Sequence, residues 1–352
     1  MTSVPRICIL GGGFGGLYTA LRLHKLAWEH GNKPEITLID RQTNFVFTPL
    51  LYELVTGEMQ GWEIAPPYAE LLKGTDIRFV QGSVEQIDRV QKSITLEDET
   101  EIAYDRLVLA LGCETPSESV PGVTANAIPF RSLHDAYQLD EKLRLLEESS
   151  AERIRIAIVG AGYSGVELAC KLADRLKERG RIRLIQSRNT ILPNAPEFNR
   201  TTALKALEQR GIWVDLETTV SEITADSIGL IYKGQTDIIP VEIVMWTVGN
   251  QVSPAINDFG LPLNAQGKIS VTEMLQVSAN PEIFALGDAV AIIDAEADST
   301  PTTAQAALQQ SDFVAWNVWS SLTDRPLLAF QYTNLGEMMT LRSEERRVGK
   351  EC

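Results

Sequence analysis

The chain has 352 residues, 44% hydrophobic and 22% charged, enough to bury two domain cores and too apolar for a disordered polymer. Its 47 acidic residues outnumber 32 Lys and Arg, and the net charge of −15 excludes an affinity built on neutralising phosphates, so no nucleic-acid partner is expected. Three His and four Cys without paired spacing exclude a disulfide framework, a CxxC dithiol centre and a metal site, and point to a reducing compartment.

Arg6–Leu10 reads as a short buried strand that runs directly into GGGFGG at 11–16. Residues 14–28 follow with helical spacing at Leu17, Leu21 and Leu23, and Glu35–Asp40 is a second strand ending in an acid. The uncharged run 7–21 is not a secretory leader, because five of its fifteen residues are Gly and no small-x-small site follows. Strand, GxGxxG turn, helix, strand and acid together are a dinucleotide fingerprint. Gly11 permits the tight turn, Gly13 lets backbone approach a pyrophosphate, and Gly16 lets helix and strand pack closely. Phe14 and Gly15 open the helix, whose free amides face the phosphates. Asp40 stands where an acid grips a ribose diol.

The pattern recurs at 153–159, a strand leading into GAGYSG at 160–165, with Gly160, Gly162 and Gly165 in the glycine positions and Tyr163 and Ser164 between them. A helix over 166–176 and a strand over 182–186 complete it, ending in Gln186 rather than an acid. Two such sites in one chain suggest two cofactors that exchange electrons. Segments 104–112 and 241–249 read as buried strands ending at Gly112 and Gly249, of the kind that close a dinucleotide domain. In 280–289 a strand ends at Gly287-Asp288, a small residue and a carboxylate suited to a cofactor's hydroxylated chain. Thr302 and Thr303 can cap a helix on which Gln305 and Gln309 share a face, and Trp316 and Trp319 belong to its packed side.

In this order the motifs resemble the two-dinucleotide-domain flavoprotein reductases over residues 4–341, and two segments narrow the resemblance to the type II NAD(P)H:quinone dehydrogenases. These are NFVFTPLLYELVTG at 44–57 and TPTTAQAALQQ at 300–310. The resemblance implies an α/β fold of two Rossmann-like domains, an FAD domain (1–120 and 252–330) with an NAD(P)H domain (121–251) inserted in it. It assigns FAD to Gly11, Gly13, Phe14, Gly15, Gly16, Asp40, Pro49, Leu50, Val84, Gly112, Gly287, Asp288, Ala304 and Gln305. NAD(P)H falls to Gly160, Gly162, Tyr163, Ser164, Gly165, Glu167, Gln186, Arg188 and Gly249, with Glu167, Gln305 and Gln309 as the groups that serve nicotinamide and quinone. The resemblance implies that hydride passes from NAD(P)H to FAD and that two electrons then reduce a membrane quinone of the plastoquinone or naphthoquinone kind. Gln186 with Arg188 nearby resembles the cyanobacterial and plastid branch and favours NADPH over NADH.

Sibling activities differ in what they need. Disulfide reductases require a cysteine pair that is absent, sulfide:quinone reductases rely on spaced catalytic cysteines, and ferredoxin or rubredoxin reductases share both fingerprints without a use for the glutamines. A flavin-dependent NAD(P)H sensor is the non-enzymatic alternative. Peripheral attachment to a plasma or thylakoid-type membrane on its cytoplasmic face is expected, and the resemblance allows a homodimer. Residues 331–341 are expected to begin a truncated membrane-associating region, and the charged stretch 342–352, which resembles a translated sequencing adapter, to be a non-native tail.

Overall fold

The computed structural model describes residues 4–29, 33–115, 120–293, 300–342 and 345–349. Along the chain run β1 (Arg6–Leu10), α1 (Phe14–Lys25), β2 (Glu35–Asp40), α2 (Leu51–Val55), β3 (Ile77–Gln81), β4 (Arg106–Leu109), β5 (Ala127–Pro129), α3 (Leu133–Glu148) and β6 (Ile154–Val159). Then come α4 (Tyr163–Leu176), β7 (Gly180–Ile185), α5 (Glu197–Gln209), β8 (Trp213–Asp215), β9 (Ile243–Trp246), β10 (Ile283–Ala285), α6 (Ala304–Leu322), β11 (Glu337–Arg342) and β12 (Glu345–Gly349).

The chain divides into two units. The first comprises Met1–Phe45, Pro66–Glu114 and Asn250–Thr333, and the second Val46–Ala65, Thr115–Gly249 and Asn334–Cys352. In the first, five parallel strands lie in the order β10-β4-β1-β2-β3. Ile7, Cys8, Ile9 and Leu10 of β1 are buried, as expected of a parallel strand covered on both faces. α6 lies along α1, joined by the Arg22–Asp312 ion pair, and buries Val314, Ala315 and Val318. Its Trp316 and Trp319 rings meet at 4.9 Å, on the packed side as the spacing requires.

The second unit repeats the design with the order β8-β7-β6-β9-β5, again parallel. Each unit also inserts a three-stranded antiparallel meander just before its crossover strand: Val84–Asp88, Ser93–Leu96 and Glu101–Ala103 before β4, and Thr218–Ile223, Ser227–Tyr232 and Gln235–Pro240 before β9. The two units are copies of one plan.

Two boundaries differ from the sequence division. Segment 46–65 belongs to the second unit, because Leu51, Leu54, Val55 and Ile64 are buried in the same cluster as Leu139 and Leu143 of α3. The stretch assigned to a membrane-associating region contains β11, whose Met339 and Leu341, two residues apart, also point into that core. β12, inside the stretch read as a tail, pairs antiparallel with β11.

Candidate functional site

The first unit holds a glycine cradle at the carboxyl end of its central strand. Gly11 turns the chain at φ +94°, and its amide donates to the Ile39 carbonyl at 2.8 Å. A Cβ on Gly11 would stand 2.3 Å from the Ala110 carbonyl oxygen, and one on Gly16 only 1.8 Å from that of Gly11. Any larger residue at either would drive α1 away from the sheet. Gly13 is the opposite case: nothing lies within 4 Å of its Cβ position, and it caps α1 with no side chain on the helix amides and no acid in the first turn. Open space over a bare helix start is what a pyrophosphate requires, so the residues fit a dinucleotide.

Three side chains hold the backbone around this loop. Tyr68, 2% exposed, donates its hydroxyl to the Gly12 carbonyl at 2.9 Å and stacks on Phe79 with centroids 4.6 Å apart. Burial raises its hydroxyl well above the ordinary tyrosine range, so it stays a donor. Asp40 takes the Gly12 amide at 2.5 Å and the Gln42 amide at 2.7 Å. A carboxylate accepts about four hydrogen bonds, so lone pairs remain for a ribose. Gln310 accepts the Gly287 amide at 2.7 Å and is 2% exposed. Gly287 and Gly112 hold φ of +84° and +64° with nothing within 4 Å of their Cβ positions, and half-buried Asp288 follows Gly287 at the end of β10. Phe14 meets Phe45 edge to face at 5.2 Å.

Ala304 begins α6, and Thr303 caps it by accepting the Ala306 amide at 3.2 Å. Gln305 and Gln309 do share a face, and that face meets residues 332–333. Tyr332 donates to the Gln305 side chain at 2.6 Å. Gln309 donates to the Thr333 carbonyl at 2.8 Å and accepts the Thr333 amide at 2.9 Å. Each end of the Gln309 amide thus makes one backbone hydrogen bond, which leaves one N–H and one oxygen lone pair. Val84 opens the meander of this unit; Pro49 and Leu50, assigned to the flavin by resemblance, lie in a short turn (Thr48–Leu50) of the second unit.

In the second unit the cradle is repeated. Gly160 has φ +106° and donates to the Ile185 carbonyl at 2.8 Å; a Cβ on Gly165 would lie 1.8 Å from the Gly160 oxygen; Gly162 is open and caps α4 with no side chain. The Thr247 hydroxyl stands 2.9 and 3.1 Å from the carbonyls of Val159 and Gly160, stapling the loop to β9. Gly249 follows at φ +84°. Gln186 donates to the Thr190 carbonyl at 3.3 Å, and Ser187 and Arg188 are exposed beside it. Along α4, Ser164 is exposed, Tyr163 bonds Glu337 of β11, and Glu337 also accepts from Asn199 at 3.3 Å. Glu167 accepts the Thr340 amide at 2.7 Å. Its carboxyl is sunk between α4, α2 and β11, and this burial, reinforced by the Glu53 charge, pushes it up to about 7. Cys170, one turn beyond, is held up at about 12 by burial and is no nucleophile at neutral pH.

The model described as pyridine nucleotide-disulphide oxidoreductase matches residues 5–311, and the chain belongs to that family and, within it, to the cyanobacterial branch of the type II NAD(P)H dehydrogenases. It is 53% identical over 344 residues to demethylphylloquinone reductase NdbB of Synechocystis sp., covering 97% of this chain and 85% of that one. It is 42% identical over 370 residues to the alternative NAD(P)H-ubiquinone oxidoreductase C1, chloroplastic/mitochondrial, of Arabidopsis thaliana, covering 96% and 71%. The fold is similar to that of NDH2 from Plasmodium falciparum in complex with NADH, with a TM-score of 0.85 at 19% identity over 98% of this chain and 90% of that one.

Proposed function

We propose that the chain is an NADPH-preferring reductase of a naphthoquinone-type acceptor, of the class named in its 53% identical relative. The reaction class is NAD(P)H:quinone oxidoreduction with FAD, without proton pumping. The observation that carries the reading is the duplicated cradle, two loops with the same tight turn, the same helix–strand contact and the same open central glycine.

FAD, when bound, supplies the two-electron step between nicotinamide and quinone. The protein's own work is to bind, orient and manage protons. The amides that open α1 would take the flavin pyrophosphate and Asp40 the adenosine ribose, while Gly112, Gly287, Asp288 and Ala304 would border the rest of the cofactor. The amides that open α4 would do the same for NAD(P)H. Exposed Arg188, beside the uncharged Gln186, would pair with a 2′-phosphate. Glu167, with its carboxyl near neutrality, can hold a proton and give it up at working pH. Gln305 and Gln309 fix the segment 332–333 against α6.

Steady-state assays of the FAD-loaded protein, with NADPH as donor and a prenylated naphthoquinone or ferricyanide as acceptor, test the reading. Turnover with the quinone is expected. Turnover with ferricyanide alone would make the chain a reductase of another acceptor. A lipid-soluble acceptor also implies peripheral work at a membrane surface, checked by sedimentation with quinone-loaded vesicles. Among the described residues no helix is long and apolar enough to cross a membrane.

A further inference from the structure

One face of α4 is polar where a core helix is ordinarily apolar. Glu167, Lys171 and Arg175 follow at four-residue intervals, so they form one stripe. Arg175 is fully engaged with Asp140 at 2.6 Å, Glu147 at 2.9 Å and the Val55 carbonyl. Lys171 is the unusual member. Its side chain is 2% exposed, a rare state for lysine, and its ammonium reaches Glu58 at 2.6 Å and Glu53 at 3.9 Å. Glu53 is itself 7% exposed, and its second carboxylate oxygen, Oε2, is buried with no hydrogen-bond partner. Tyr52, beside it on α2, is buried among the same groups and interacts with both Glu167 and Ser164.

The charges do not balance. Three carboxylates, Glu53, Glu58 and Glu167, face one ammonium, and Glu58, the most exposed of the three, takes the closest contact with it. That leaves Glu53 as a like charge beside Glu167 on the buried side of the stripe, which disfavours the ionised form of Glu167. Other charged groups near α4 do not relieve this. Glu337 on β11 bonds Tyr163, Arg183 on β7 is tied to Asp215, and Arg210, just past α5, is tied to Asp174. Cys170 on α4 is held neutral by burial.

We infer that Lys171 and Glu53 are positioning residues that set the proton occupancy of Glu167, Glu53 by repelling its ionised form and Lys171 by favouring it. The pair thereby keeps one removable proton at neutral pH, carried on a charge set anchored to the half-exposed Glu58. This rests on the reading of Glu167 as the proton-handling group. It gives roles to Lys171, Glu53 and Glu58, to which the sequence motifs assigned none.

The test is a titration of the full chain carrying 13C-carboxyl glutamate, followed by infrared spectroscopy. The Glu167 signal is the one lost in Glu167→Gln. Glu53→Gln removes the repulsion and is expected to lower its midpoint by about one pH unit, whereas Lys171→Met removes the attraction and is expected to raise it by about as much. Should Lys171→Met fail to fold, Glu58→Gln replaces it: freeing the ammonium from its anchor is expected to lower the midpoint. Shifts in the stated directions support the inference, and a disturbance of packing alone has no reason to produce opposite signs. Midpoints that stay within a few tenths of a unit, or that move together in Glu53→Gln and Lys171→Met, overturn it. The pH profile of quinone reduction is read separately. Displaced infrared midpoints beside an unmoved profile support the charge-setting and remove Glu167 from the reaction, so the two failures are told apart.

Discussion

In the function proposed above, Gln186 and Arg188 are the residues expected to decide between two nicotinamide cofactors that differ by one phosphate. An acid at the end of β7 would repel a 2′-phosphate; here the side chain is an amide engaged with Thr190, and a guanidinium stands exposed two residues on. A charge-assisted pair contributes about 1.5–3 kcal/mol, so kcat/KM should favour NADPH about tenfold to a hundredfold. Gln186→Glu is expected to reverse the ratio and Arg188→Ala to flatten it; a native preference for NADH would refute the assignment. Tyr68 makes a second prediction. Tyr68→Phe leaves the Gly12 carbonyl buried and unpaired, and should cost about 1 kcal/mol in urea unfolding while loosening FAD, measured by flavin fluorescence. Unchanged FAD affinity would show that the pinned loop is not what holds the cofactor. The contrast between these residues explains what was legible. The cradle glycines announce themselves because only a missing Cβ fits within 2.3 Å of a carbonyl. Tyr68 and Thr247 act through contacts 56 and 88 residues away in the chain, and nothing local distinguishes a cradle tyrosine from a core one.

At the scale of elements, α4 joins two features, an open helix start at Gly162 and a buried ionisable stripe further along. Glu167 has its folded carboxyl raised to about 7, above the ordinary value of 4.5 that it regains on unfolding. Between these values the folded chain binds more protons. The stability it contributes is therefore full below about pH 4.5 and lost as the pH rises through 7. Glu167→Gln, uncharged throughout, should gain on the parent by about 2–3 kcal/mol between pH 5 and pH 8 in denaturant titrations. A constant difference would mean that the carboxyl titrates normally. The acid itself could be read from its place after the second fingerprint. Its environment could not, because Glu53 and Glu58 precede it by more than a hundred residues, Glu53 within the segment 44–57 and Glu58 just past it. The alternation that buries Met339 and Leu341 was legible in principle, but a short strand beside charged residues gives too few repeats to stand out.

On the scale of the whole molecule, one plan was used twice, and the second copy carries its own hydrophobic cluster, its own meander and its own open glycine. The duplication was plain in the sequence, since each copy repeats strand, glycine turn and helix in register. Where one copy stops and the other starts was less plain, because 46–65 has the composition of either and only packing against α3 assigns it. If each unit is stabilised by its own dinucleotide, the two ligands should act on different parts of a melting curve. A ligand at a hundred times its Kd adds about 2.7 kcal/mol to the unit that binds it, which for a unit of this size raises the transition by about 5–10 °C. Differential scanning calorimetry of the flavin-free protein should show FAD and NADP+ each lifting a different component. Gly13→Leu puts a bulky group into the space left open at the first cradle, and should abolish the FAD response while sparing that of NADP+; Gly162→Leu should do the converse. Loss of both responses in either variant would mean that the cradles do not work as independent binding units.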